Sequence, residues 1–105
     1  MGTRIVKQPN GKLARFSEVV DNFTHCNMDQ DEAIIVCKNE GMRTEAALAK
    51  VQRGIDDLDQ YDYSKVGSGL DRWNEALLII EEQHGKDELN RVLWEINNTA
   101  SSKTL

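Results

Sequence analysis

Proline occurs once in this chain of 105 residues, cysteine twice, and aromatic residues make up only 6% of it. No apolar run approaches the roughly 18–20 residues that cross a bilayer, which argues against a membrane-spanning helix. Met1 to Lys12 has no apolar core of the length a secretion signal needs, so the expected location is the cytoplasm. In that reducing compartment Cys26 and Cys37 read as free thiols serving as small buried hydrophobes, not as a staple. Clusters of Lys and Arg are also missing. With 18 acids against 13 bases the net charge is −5. That argues against an unspecific nucleic-acid binder, which needs clustered cations to displace counterions, and no direct sequence-specific nucleic-acid binding is expected either. The acidity is too mild and too interspersed with bases to mimic a nucleic acid. Hydrophobic content of 39% and charged content of 30% belong to an ordinary globular protein of one domain.

The motifs of chemistry are absent too. Ten residues separate Cys26 from Cys37, which matches no zinc ribbon or knuckle, and there is no CxxC. His25 and His84 read as a loop residue and a helix-end residue. Cys37 ends the most apolar segment, where burial would raise its pKa and leave it inert as a nucleophile. The acids Asp56, Asp57, Asp59 and Asp62 suggest a calcium loop. A loop starting at Asp57 has Asp62 and Ser68 where an EF-hand needs Gly and Glu. Val66-Gly67-Ser68-Gly69 resembles a phosphate loop in composition only, although an anion at the following helix start, near Arg72, is conceivable chemistry. No catalytic residue, cofactor or metal ligand is assigned.

What the sequence does contain is a hairpin and a series of helices. Ile5 and Val6 lead into Pro9-Asn10-Gly11-Lys12, and Leu13 to Phe16 run back. Proline pre-sets φ near −65° and Asn-Gly tolerates positive φ, so this is a tight β-turn between two strands. Two strands alone are marginal in water and must lie on helices or pair their edges with another molecule. Ser17 to Asn27 fits a short helical turn behind Ser17, with Val19, Val20 and Phe23 on one side, or a strand. Asp29 three residues before Glu32 is a capping box, with Met28 placed to staple onto Ala33. Ala33 to Cys37 is apolar on every side and suits helix or buried strand. The cap and the Gly41 stop favour helix, and such a helix would be buried on more than one face.

Thr44 opens a second helix carrying Ala47, Leu48, Val51, Ile55 and Leu58, with Gly54 inside it. Asp59 to Gly69 loses the periodicity and reads as a long loop. Ser68 or Asp71 then caps a helix with Leu70, Trp73, Leu77 and Ile80, ending at His84-Gly85. The last helix, about Lys86 to Asn97, places Leu89, Val92, Leu93 and Ile96 on one stripe. Thr99 to Leu105 reads as a disordered polar tail. The expected fold is therefore α+β and mainly helical. An N-terminal β-hairpin packs on about four helices in one domain over residues 1–98, with a disordered tail over 99–105.

Trp94 lies 100° from Leu93 and 200° from Val92 at 3.6 residues per turn. It either folds under the domain or stands on the rim of an interface, where tryptophan is enriched. Tyr61 and Tyr63, on the long loop, share that choice. These three are the candidate partner-binding residues. A hairpin with open edges, an all-apolar helix and an off-stripe Trp together also point to a homo-oligomer, a symmetric dimer being the commonest form.

Val6-Lys7-Gln8-Pro9-Asn10-Gly11-Lys12, then Phe16-Ser17, Val19-Val20-Asp21, Phe23-Thr24 and Asn27-Met28, resembles small accessory proteins of phages and prophages. Trp73 to His84-Gly85 is similar to theirs as well. The resemblance covers about half the chain, and its motifs are a hairpin, a turn and caps, so no functional residue is carried across. It implies a protein that works in the host cytoplasm by binding a host or defence component and blocking it. The expected function is thus non-enzymatic binding of a host protein or complex, with inhibition of a defence system as its purpose. Capture of a small nucleotide signal between subunits is the first alternative, and a small hydrolase with a Cys or His nucleophile the second.

Overall fold

The structure, a computed structural model, describes residues 2–57, 72–99 and 101–105. Its fold is α+β. Strands β1 (Thr3–Lys7), β2 (Leu13–Ser17) and β3 (Asn22–Met28) form an antiparallel meander. Helices α1 (Gln30–Asn39), α2 (Thr44–Ile55), α3 (Arg72–His84) and α4 (Lys86–Asn97) follow. A short β4 (Lys103–Thr104) then completes a four-stranded sheet in the order β1-β2-β3-β4.

The first turn forms as its residues require. Gly11 has φ +85°, its N–H donates to the Gln8 carbonyl, and Asn10 Oδ1 accepts the Lys12 N–H at 3.0 Å. The hairpin is not a lone pair of strands, however, because β3 pairs along β2. The segment after Ser17 is a turn and a strand, which settles the choice left open there. Ser17 Oγ accepts the Val19 N–H inside that turn, Val19 and Val20 are exposed, and Phe23 is buried. Register shifts on both sides of Arg15 place extra residues in β3. These bulges put Phe23 and Cys26, three apart in sequence, into the same buried cluster.

Alternation along β1 and β2 sends neighbouring residues to opposite faces, so the sheet has a core on each side. Val6, Ala14, Phe16, Phe23 and Cys26 meet Trp73, Ala76 and Ile80 of α3 and Val92 and Ile96 of α4. Phe23 is central, edge-on to Phe16 at 5.6 Å and stacked on Trp73 at 5.2 Å. Ile5, Leu13 and Met28 meet Ala33 and Cys37 of α1 and Ala47 and Val51 of α2. Two helical layers thus sandwich the sheet.

The Ala33–Cys37 segment is helical, and both bonds of the Asp29–Glu32 capping box are present. Gly41, at φ +101°, follows the Glu40 cap. Burial of this helix on several faces does not occur. Ala33 and Cys37 are fully buried while Ile35 is 57% exposed, because α1 is an outer layer with one face on the sheet. Nor do the described residues of the expected tail, 99 and 101–105, form a disordered end. Lys103 and Thr104 pair with Cys26 and His25, and Leu105 packs against the α3–α4 core. The expected long loop, the Ser68 or Asp71 cap, and Leu58 and Leu70 lie outside the described residues.

Candidate functional site

On α4, Val92 and Ile96 are buried against the sheet, and Leu89 and Leu93 pack half-buried beside them. The opposite face holds Trp94, which is 62% exposed. Of the two readings left open by the helical geometry, the structure selects the outward one. Helical spacing surrounds Trp94 with Asp87, Asn90, Arg91, Asn97 and Asn98, all exposed. The backbone beneath the indole is tied down, since Asn98 donates its side-chain N–H to the Trp94 carbonyl at 2.8 Å. Arg91 donates twice to Glu88, at 2.6 and 3.0 Å, and Asn22 donates to the same carboxylate at 2.8 Å. Those bonds from Arg91, with smaller help from Asn22, hold the Glu88 carboxyl below its ordinary range, and Glu88 raises the Arg91 guanidinium in turn. The result is an exposed aromatic side chain on a rigid helix, ringed by amides and an ordered ion pair. Tyr61 and Tyr63 lie outside the described residues.

A second constellation runs across the α1–α2 face of the sheet. Lys50 Nζ donates to Thr3 Oγ1, which donates to Glu40 Oε2 at 3.2 Å. Arg15 pairs with the other Glu40 oxygen and donates to Thr24 Oγ1 at 2.6 Å, and Thr24 lies 2.9 Å from His25 Nδ1. The residue types could serve proton transfer. Thr3 and Lys50 are buried, and the chain fastens α1 and α2 to three strands. Burial, and then the charge of Arg15, lower the His25 pKa, with Glu40 opposing.

Sequence reasoning missed a third feature, the amide cluster at Asn27. Gln8 Nε2 donates to Asn27 Oδ1 at 2.9 Å, and Gln8 Oε1 accepts the Asn27 N–H at 2.8 Å. Asn27 Nδ2 donates to the Ile96 and Thr99 carbonyls at 3.0 and 2.8 Å. This joins the first turn, β3 and the end of α4. Asn27 has φ +56°, which asparagine tolerates better than most residues. A lone Asn in a polar stretch carries no signal of such a role.

Cys26 and Cys37 are both buried and free, and burial raises both thiol pKa values. Neither has the electropositive, accessible setting of a nucleophile. Among the described residues no three His, Cys, Asp or Glu side chains converge as a metal site would require. None of their helices is long and apolar enough to cross a membrane. No protein-family model matches the chain, and no curated protein or solved structure matches it significantly.

Proposed function

We propose that the protein is a non-enzymatic accessory protein of the kind phages and prophages encode. It binds a host macromolecule, a protein or protein complex such as a defence-system component, and blocks it by occlusion in the host cytoplasm. The observation that supports this reading best is Trp94, held outward on α4 inside a polar ring. Large aromatic side chains surrounded by polar residues are the usual anchors of protein interfaces. The net charge of −5 favours a partner with a basic patch. Tyr61 and Tyr63 remain further anchor candidates on sequence grounds.

The test compares wild type and Trp94→Ala in capture of a partner from host lysate, with thermal melts alongside. An exposed side chain contributes little to stability, so Tm should move by less than about 2 °C. Loss of an anchor should weaken capture by roughly thirtyfold, the equivalent of about 2 kcal/mol. Unchanged capture would remove the reading. Saturable binding of a cyclic nucleotide, unaffected by the substitution, would replace it with signal sequestration.

A further inference from the structure

β3 runs over seven residues, Asn22–Met28, and β2 pairs with it from Asn22 to Met28. Along its other edge β4 meets only His25 and Cys26, through Thr104 and Lys103. One further bond runs from the Leu105 N–H to the Thr24 carbonyl at 2.8 Å. Both residues of β4 are exposed. Such short, exposed pairing opens at low free energy, and it covers only two of the seven β3 residues.

Side chains of this segment alternate as on any strand. Lys103 forms an ion pair with Glu95 of α4, and Leu105 packs on the α3–α4 core. Ser102, Lys103 and Thr104 line a hollow of about 100 Å³ with His25, Met28, Glu32 and Val36. Thr104 is too short to fill it, and Glu32 stands at its wall.

We propose that the outer edge of β3 is a docking edge for an extended segment of a partner protein, which displaces β4 and adds antiparallel to β3. β4 itself shows what the occupant must carry. A cation takes the place of Lys103 opposite Glu95, and a large aliphatic side chain takes the seat of Leu105. Between them a long basic side chain enters the hollow toward Glu32. A basic strand with alternate apolar residues meets both carboxylates, whereas an acidic one is repelled. The identity of the occupant as part of a host macromolecule rests on the function proposed above; the edge itself does not.

The probe is a fluorescein-labelled peptide, VTSKRLTV, compared with its acidic counterpart VTSEELTV, on the full chain. Wild type should bind the basic peptide about tenfold more tightly than the acidic one. Lys103→Glu combined with Leu105→Ser loosens the competing strand and should tighten the basic peptide by about fivefold, since the open edge is more populated. Glu32→Gln, which keeps the capping box, should weaken it by about threefold, because the peptide's long cation meets that carboxylate and Thr104 does not. Amide shifts on titration should centre on Thr24 and Cys26. Equal binding of both peptides, no saturable binding by the folded tail variant, or shifts centred away from β3 would overturn the proposal. If the tail variant does not fold, wild type and Glu32→Gln decide between the same outcomes. Partner capture lost in Trp94→Ala, with no peptide binding, would sink the edge and leave the Trp94 reading standing. Peptide binding with no effect of Trp94→Ala on capture would do the reverse.

Discussion

Gly54 is helical and buried, and its reason for being glycine lies across the helix–strand contact. A Cβ there would sit 2.6 Å from Ile5 Cγ2 and 2.7 Å from the Ile5 carbonyl oxygen. The carbonyl is backbone and cannot swing aside, so α2 would have to lift from β1. Alanine improves helix propensity by about 1 kcal/mol, but the clash outweighs that gain. Gly54→Ala should therefore destabilise by about 1–3 kcal/mol in urea unfolding, the range for overpacked sites. A stabilised variant would show that α2 can shift freely. Asn27 is the second residue whose identity is decided by close neighbours. Removing its amide takes the Asn27 donor from the Ile96 and Thr99 carbonyls and one of two acceptors from Gln8 Nε2. Asn27→Ala should lose about 2–3 kcal/mol for those unmet groups. Asn27→Gly also removes the amide but accepts φ +56° without strain. It should lose about 1 kcal/mol less than alanine by the same measurement.

Among the elements, α1 and α4 were legible for opposite reasons. The capping box and Gly41 mark the limits of α1 through local chemistry, while α4 shows an apolar stripe at helical spacing. β3 was not legible, because its bulges break the alternation that identifies a strand. β4 was missed for a simpler reason. Two exposed residues, Lys103 and Thr104, have no pattern, and only the waiting edge of β3 makes them a strand. This part of the sheet should also respond to pH. His25 has its pKa lowered from the ordinary 6.5, first by burial and then by Arg15. The folded state thus prefers neutral His25, and the unfolded chain takes up the proton first as pH falls. His25 contributes full stability above pH 6.5, and that contribution falls away as pH drops from there through the folded-state pKa. Asp29 and Glu88, also lowered, act in the same direction but from ordinary values of 3.8 and 4.5. Melting temperatures between pH 7 and pH 5 should therefore decline, and His25→Gln should flatten the decline. An equal slope in His25→Gln would assign the effect elsewhere.

At the scale of the molecule, the sheet divides the apolar residues into two small cores. Large side chains are also left outside, namely Val19, Val20, Ile35, Leu48, Leu78 and Trp94. The expectation of a dimer now rests on these. The hairpin edge beside β2 is filled by β3 while β1 stays at the margin of the sheet, and α1 needs no second cover beyond Ile35. Sedimentation at micromolar concentration should show a species of twice 11.9 kDa, in keeping with a symmetric pair. A single species at 11.9 kDa across that range would count against it. The sequence by itself determined the first hairpin, the helical stretches, the buried stripe of α4 and the scarcity of catalytic or ligating motifs. All of these follow from local turn chemistry, capping or periodicity over a few turns. Only the tertiary structure decided that Trp94 faces outward, that β3 and β4 extend the hairpin into a sheet, and that Asn27 and Gly54 are held to their identities by close neighbours. Those outcomes depend on atoms far apart in the chain, such as the Asn27 amide and the Ile96 carbonyl, or Gly54 and Ile5. Their contact energies exist only once the layers have packed.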